Sequence, residues 1–272
     1  MNCVVLVKQV PDPNKKVGMT DQGTVDRDKS EGIMNPFDAN ALEMALQLKE
    51  KHGGKVTVVT MGPPKADAAL REALSMGADE AFLLSDRKMA VADTLATAYT
   101  LSQAIRKIGN YDLVMSGIMA IDGDTAQVGP QIAERLGIPQ VTYVEEMEIE
   151  ADGKAKFKRL VEDGYEIIRT RQPLSECPVA VTVTNTANKP RYPSVMKKLK
   201  AAKAVIPTWT VADIEDSEEN HSRYGMSGSP TKVKKIERPQ SGKSPCKLAE
   251  GKTPDEMVEC LFKQAELDKA RA

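Results

Sequence analysis

The chain has 272 residues, 41% of them hydrophobic, and its 38 basic and 39 acidic side chains nearly cancel. This balance describes a globular chain of one large domain with an appendage, and it excludes the basic face that general nucleic-acid binding needs. No apolar run approaches the roughly 18 residues of a membrane span, no basic secretory leader precedes the first strand, and the cysteines (Cys3, Cys177, Cys246, Cys260) lack CxxC spacing, so reduced thiols in a cytoplasm are expected and a metal site is not.

In chain order, Val4–Val7 reads as a buried strand, followed by a polar excursion with Pro11, Pro13, Gly18 and Gly23 that forms a long loop or hairpin. Asn35 and Pro36 then start a helix as N-cap and first residue, with Ala41, Met44, Ala45 and Leu48 on its apolar face. Gly53-Gly54 ends that helix, with His52 just before them, where a cation suits the helix dipole. Next come a strand over Val56–Thr60, the turn Met61-Gly62-Pro63-Pro64, a helix from about Lys65 to Met76, and a strand over Ala81–Leu84. Ala92-Asp93-Thr94 opens a helix carrying Ala98, Leu101, Ile105 and Ile108. Asp112–Ser116 is a strand, and after the loop Ile121–Gly129 a helix runs through Val128, Ile132 and Leu136 to a strand at Gln140–Val144.

Strands alternating with helices imply a mainly parallel sheet flanked by helices, an α/β fold whose ligands sit beyond the carboxyl ends of the strands. The loops at Lys8–Pro13, Met61–Pro64, Ser85–Thr94 and Gly117–Thr125 then converge on one crevice. Past residue 145 the pattern becomes antiparallel: Glu145–Lys158 and Tyr165–Arg171 pair about a turn near Asp152-Gly153 or Asp163-Gly164, and Val179–Thr184 returns as an apolar strand. Asn188–Pro193 reads as a loop and Val195–Ala204 as a basic helix. Residues 213–245 read as an extended polar segment without its own core, before a helix at Asp255–Leu267 whose narrow apolar face suits a partner.

The loop Ile121-Asp122-Gly123-Asp124-Thr125-Ala126-Gln127-Val128-Gly129 joins a strand to a helix N-terminus, where unpartnered N–H groups and the macrodipole favour an anion. Gly123 permits close approach, and Thr125 and Gln127 add neutral donors. Asp122 and Asp124 sit awkwardly beside a phosphate and better suit ribose hydroxyls or helix capping. Simple capping remains the alternative for this loop, as it does for Asp93-Thr94. No GxSxG, HExxH or GxxxxGK[ST] motif occurs and His221 lies in a polar stretch, so no catalytic side chain is expected.

Taken together, VLVKQVPDP, NPFDANALEMALQLKE, VVTMGPPKADAALREALSMGADEA, ADTLATA and AIDGDTAQVGP resemble, in that order, the beta (small) subunit of electron transfer flavoproteins. The resemblance covers Val4 to about Leu199. It implies an adenine-nucleotide alpha-hydrolase-like domain over 1–205 with a recognition loop at about 184–200, and a C-terminal arm over 206–272 that packs on the alpha subunit of a heterodimer. Val91-Ala92-Asp93-Thr94 and Lys8-Gln9-Val10-Pro11-Asp12 are similar to the electron-bifurcating branch, as is Asp38, where AMP-binding relatives often carry a cysteine.

For that branch the resemblance implies FAD in this subunit, a hydride from NADH, one electron passed to ferredoxin or flavodoxin, and the other passed through the alpha-subunit FAD to a dehydrogenase of acyl-CoA, enoyl-CoA or 2-hydroxy acid type. A non-bifurcating subunit holding structural AMP is the alternative. Carried over residue by residue, Leu6, Asn35, Pro36, Phe37, Asp38, Met61 and Gly62 surround the nucleotide. Asp122, Gly123, Asp124, Thr125, Ala126, Gln127, Val128 and Gly129 surround its phosphates. Ala92, Asp93, Thr94 and Thr97 lie near the ribityl chain and ring, with Lys8 a further candidate there. Asn188, Lys189, Pro190, Arg191, Tyr192 and Pro193 dock the partner dehydrogenase, Arg191 and Tyr192 being favoured interface anchors.

Overall fold

The computed structural model describes residues 1–14, 32–214, 222–232, 249–251 and 253–269, in two compact units, Met1–Lys234 and Lys235–Ala272. The first unit is built on a nine-stranded sheet of the expected class. In chain order it contains β1 (Asn2–Leu6), β2 (Gln9–Pro11), β3 (Gly32–Met34), α1 (Pro36–His52), β4 (Lys55–Met61), α2 (Asp67–Met76), β5 (Glu80–Leu84), α3 (Thr94–Ile108), β6 (Leu113–Gly117), α4 (Val128–Leu136) and β7 (Gln140–Ile149). It continues with β8 (Ala155–Val161), β9 (Gly164–Arg169), β10 (Val179–Val183), α5 (Val195–Lys203), β11 (Thr208–Trp209) and α6 (Val211–Ile214). The sheet order is β11-β5-β4-β1-β6-β10-β7-β8-β9, parallel up to β7 and antiparallel beyond it.

The central strands are continuous apolar runs because both of their faces are covered. Cys3 and Val5 of β1 face α1 and α2 with Val56, Val58, Leu113 and Met115, while Val4 and Leu6 face α3 and α4 with Val59 and Val114. Burial makes Cys3 inert: desolvation pushes its thiol up to about 12. β2 and β3 pair as the ends of the expected hairpin; the residues between, 15–31, lie outside the described ones.

The antiparallel addition differs from the expected pair. Both candidate turns are used, giving three strands, β7, β8 and β9. β7 leaves β10 at an irregularity where Tyr143 adopts φ 58 and gives its N–H to the Thr182 hydroxyl, 3.1 Å away, instead of to the ladder. An extra residue bends a strand in this way and frees its far half to pair elsewhere.

The chain beyond α5 packs on the core where it is described. β11 adds to the edge of β5, Trp209 stacks on Phe82 at 4.2 Å, and Tyr224 is fully buried with its ring 5.1 Å from that of Tyr99. These residues complete the core on the α3 face, so the compact unit runs past the expected boundary at 205. In the second unit, α7 (Pro254–Lys269) exposes Met257, Val258, Leu261 and Phe262. Among the described residues no helix is long and apolar enough to cross a membrane.

Leu42 of α1 has no exposed surface and packs against the sheet. Leu42→Ala should destabilise the fold by about 2–5 kcal/mol, read as a lower denaturant midpoint with an unchanged slope; a loss under about 0.5 kcal/mol would show that this helix does not seal the core.

Candidate functional site

After β1 the chain crosses to β4 and β5 on one side, then returns to β6 on the other. The point outside the carboxyl ends of β1 and β6 is therefore a topological switch, where open α/β sheets hold ligands. Asp38, in the first turn of α1, is buried there. One carboxylate oxygen accepts the Lys8 N–H at 2.8 Å, just past β1, and the other accepts the Gly117 N–H at 2.9 Å, at the end of β6. Gly117 has no alternative: a Cβ there would lie 2.4 Å from Phe37 Cβ and 2.7 Å from an Asp38 oxygen. Burial pushes the Asp38 carboxyl up to about 7, against the two N–H groups, the Asn35 amide and the Lys8 charge that pull it down.

Asn35 occupies the N-cap position of α1 yet makes no side-chain cap, contrary to the expected role. Its amide reaches the loop after β6 instead, donating to the Met119 carbonyl at 2.8 Å and accepting from the Ile121 N–H at 3.2 Å, while its own N–H donates to the Lys8 carbonyl at 2.8 Å. Lys8 completes the connection: its ammonium lies 2.7 and 2.8 Å from the two Asp122 oxygens. The Asp122 charge that looked awkward beside a phosphate is thus already matched by a cation.

The anion end follows. α4 begins at Val128 with no side-chain cap from Gln127, so the first N–H groups of the helix have no side-chain acceptor. Gly129 packs so closely that a Cβ would lie 2.6 Å from Thr182 Cγ2, whereas Gly123 has nothing within 4 Å of the same position. Asp124 and Ala126 hold the left-handed region at φ 51 and 53, which costs about 1–2 kcal/mol per residue and recurs at ligand clamps. An uncapped helix start, an open glycine and a neutralised Asp122 fit a phosphate or pyrophosphate.

The other end of the crevice is the start of α3. Asp93 caps it, accepting from Leu95 and Ala96 N–H groups at 3.0 and 3.1 Å, and the Thr97 N–H returns to the Asp93 carbonyl. The Thr94 hydroxyl donates to Gln127 Oε1 at 2.9 Å, which joins this end to the anion loop. Gln131, which no motif flagged, places its amide nitrogen 3.5 Å from the Thr94 hydroxyl and leaves its buried Oε1 unpartnered. Ala92 is half-buried, Leu6 lies buried at the end of β1, and Met61-Gly62 closes β4, the Gly62 N–H donating to the Leu84 carbonyl at 3.0 Å. Asp93 has further partners in Ser229 and Thr231, residues that no sequence signal linked to it.

The loop at Asn188–Pro193 lies away from this crevice, along α1. Asn188 and Asn40 exchange amide-to-carbonyl bonds of 2.8 and 3.0 Å. Arg191 grips the buried Glu43 carboxylate at 2.7 and 3.0 Å and also binds Glu50, and these two acids raise its pKa above the ordinary value. The guanidinium is spent inside the chain, while Tyr192 beside it is 90% exposed. Among the described residues no acid, His and Cys cluster could hold a metal ion.

The sequence pattern of the electron transfer flavoprotein domain matches residues 22–214. The electron transfer flavoprotein subunit beta of Clostridium acetobutylicum is 50% identical over 235 residues, covering 86% of this chain and 87% of its own length. That of Thermoanaerobacterium thermosaccharolyticum is 52% identical over 233 residues, 86% of each chain. The caffeyl-CoA reductase-Etf complex subunit CarD of Acetobacterium woodii is 48% identical over 234 residues, again 86% of each.

Between the ordinary aspartate value of 3.8 and about 7, the folded chain keeps a proton on Asp38 that the unfolded chain has released. The contribution of this group to stability is then full below about 3.8 and is lost as pH rises through about 7. Asp38→Asn should flatten that part of the profile, measured as denaturant midpoints across the window. Parallel profiles for the two proteins would mean that Asp38 does not titrate there.

Proposed function

The chain belongs to the electron transfer flavoprotein family, and we propose that it is a beta subunit whose crevice between β1 and β6 holds FAD, reduced by NADH in the bifurcating manner. One observation carries the reading: the Asn35–Asp38 turn, the Asp122–Gly129 loop and the start of α3 are joined in sequence by the Asn35–Ile121, Lys8–Asp122 and Thr94–Gln127 bonds. AMP needs only the first two of these; a dinucleotide uses all three.

A bound flavin supplies hydride acceptance and one-electron transfer. The residues of this chain bind and orient it. The N–H groups at the start of α4 would hold the pyrophosphate, with Lys8 keeping the Asp122 charge neutralised. Thr94 and Gln127 present amide and hydroxyl groups along the ribityl path. No side chain serves as nucleophile or general acid. The partners of that reading would be an alpha subunit with a second flavin, a ferredoxin or flavodoxin, and a dehydrogenase, in a cytoplasmic setting. The name of the 48% identical CarD subunit supports a dehydrogenase of the acyl-CoA class.

The docking surface for that dehydrogenase is Tyr192 with Val195, Met196 and Leu199 of α5, all exposed and too apolar to be left to water without use. Arg191 serves it indirectly, by fixing the loop to α1.

Purified with its alpha subunit and denatured, the complex should release two FAD per heterodimer and, when intact, be reduced by NADH. One FAD with one AMP would overturn the FAD reading. Tyr192→Ala should weaken dehydrogenase binding by about tenfold or more, as loss of an aromatic anchor does, and leave flavin content unchanged; wild-type affinity would remove Tyr192 from the interface.

A further inference from the structure

We propose that Ser229 and Thr231 are positioning residues that hold the turn Val91–Thr94 in its cofactor-facing conformation through Asp93. This rests on the reading that the ring end of FAD lies at that turn. An N-cap needs one carboxylate oxygen, and Asp93 Oδ1 meets that need by accepting from Leu95 and Ala96. The second oxygen and the Asp93 amide go elsewhere. Oδ2 accepts from the Thr231 hydroxyl at 2.8 Å and from its N–H at 3.1 Å, and the Asp93 N–H donates to Ser229 Oγ at 2.8 Å. Ser229 is 5% exposed, and its own hydroxyl hydrogen goes to the Gly225 carbonyl at 2.7 Å. Helix capping explains none of these three bonds, which join residues 136 and 138 positions apart.

The approach of the two segments is built in. A Cβ on Gly225 would lie 2.2 Å from the Lys88 carbonyl oxygen and 2.8 Å from that of Ala90, and φ there is 53. The backbone of 225–231 therefore lies directly against the backbone that leads into the turn. Val91 in turn holds φ 57 and is 69% exposed. A β-branched residue in the left-handed region is an outlier that persists only where surrounding bonds over-determine it. Two bonds into Asp93 Oδ2 and one from its amide provide that constraint two residues away. They also occupy Asp93, so its carboxylate orients the turn and the cofactor meets Thr94 and the turn backbone.

The test uses the heterodimer with Thr231→Val, Ser229→Ala, their combination, and Thr231→Ser as the conservative control. Four readouts apply: nucleotide content, hydrogen exchange of the amides from Val91 to Ala96, the potential and absorption spectrum of the flavin of this subunit, and its rate of reduction by NADH. The combined variant should keep stoichiometric FAD, exchange those amides about tenfold faster, shift the flavin potential and spectrum, and lose about tenfold in its rate of reduction by NADH. Thr231→Ser should match the wild type. Thr231→Val alone, which keeps the backbone bond and removes only the hydroxyl, should show the same changes in smaller measure and decides the matter if the combination does not fold. Full FAD with wild-type exchange, potential and spectrum in the variants would overturn the positioning role and leave the FAD reading standing. AMP in the wild-type complex would overturn both.

Discussion

The carboxylate of Asp38 accepts one backbone N–H from the residue after β1 and another from the last residue of β6, and the rest of the crevice depends on that bridge. β1 and β6 pair in parallel as far as Val5 and Met115, but beyond that ladder no loop joins the segments that leave their carboxyl ends. A buried carboxylate with one donor on each oxygen fixes both. Once it does, Asn35 can reach Met119 and Ile121, and Lys8 can reach Asp122. Removing either donor would leave a buried polar oxygen short of a partner, a penalty of about 1–3 kcal/mol. Gly117 is the steric condition for the arrangement, since any Cβ there occupies the space of Phe37.

Much of this was legible in the residues. Parallel strands covered on both faces read as uninterrupted apolar runs, so β1, β4 and β6 stood out, and the helix closed by Gly53 had a visible end. The convergence of loops followed from topology alone. What stayed hidden was the destination of polar side chains. Asn35 has the identity and the position of an N-cap, but partners on another loop outbid the helix terminus. The second oxygen of Asp93 goes to Thr231, and nothing local to either residue points to the other. β8 was obscured because alternation continues through Glu145–Lys158 and makes either turn sufficient. Tyr224 is a lone aromatic in a polar stretch, and its burial depends on a ring supplied by α3.

Arg191 illustrates how partners add to what residue type alone suggests. Arginine is favoured at interfaces, and the loop reading gave it a docking role. Its fork instead closes on Glu43, which lies one face of α1 away from the crevice and is itself buried. A planar guanidinium that satisfies two carboxylates at once is a structural clamp. The exposed work of the loop passes to Tyr192 and to α5, whose apolar residues face outward while only Ala201 is buried.

α1 thereby carries both proposed sites on one rod. Its first turn, at Asp38, sets the crevice, and its surface from Asn40 to Glu50 holds the loop that bears Tyr192. Twelve residues of α-helix from Asp38 to Glu50 span about 18 Å, and a helix packed on a sheet does not stretch. The Asp38 turn and the anchor points of the loop, from Asn40 to Glu50, are therefore held on one rigid element. On the proposed function, any change in the spacing between flavin and docked partner would come from what moves around this helix and not from the helix itself.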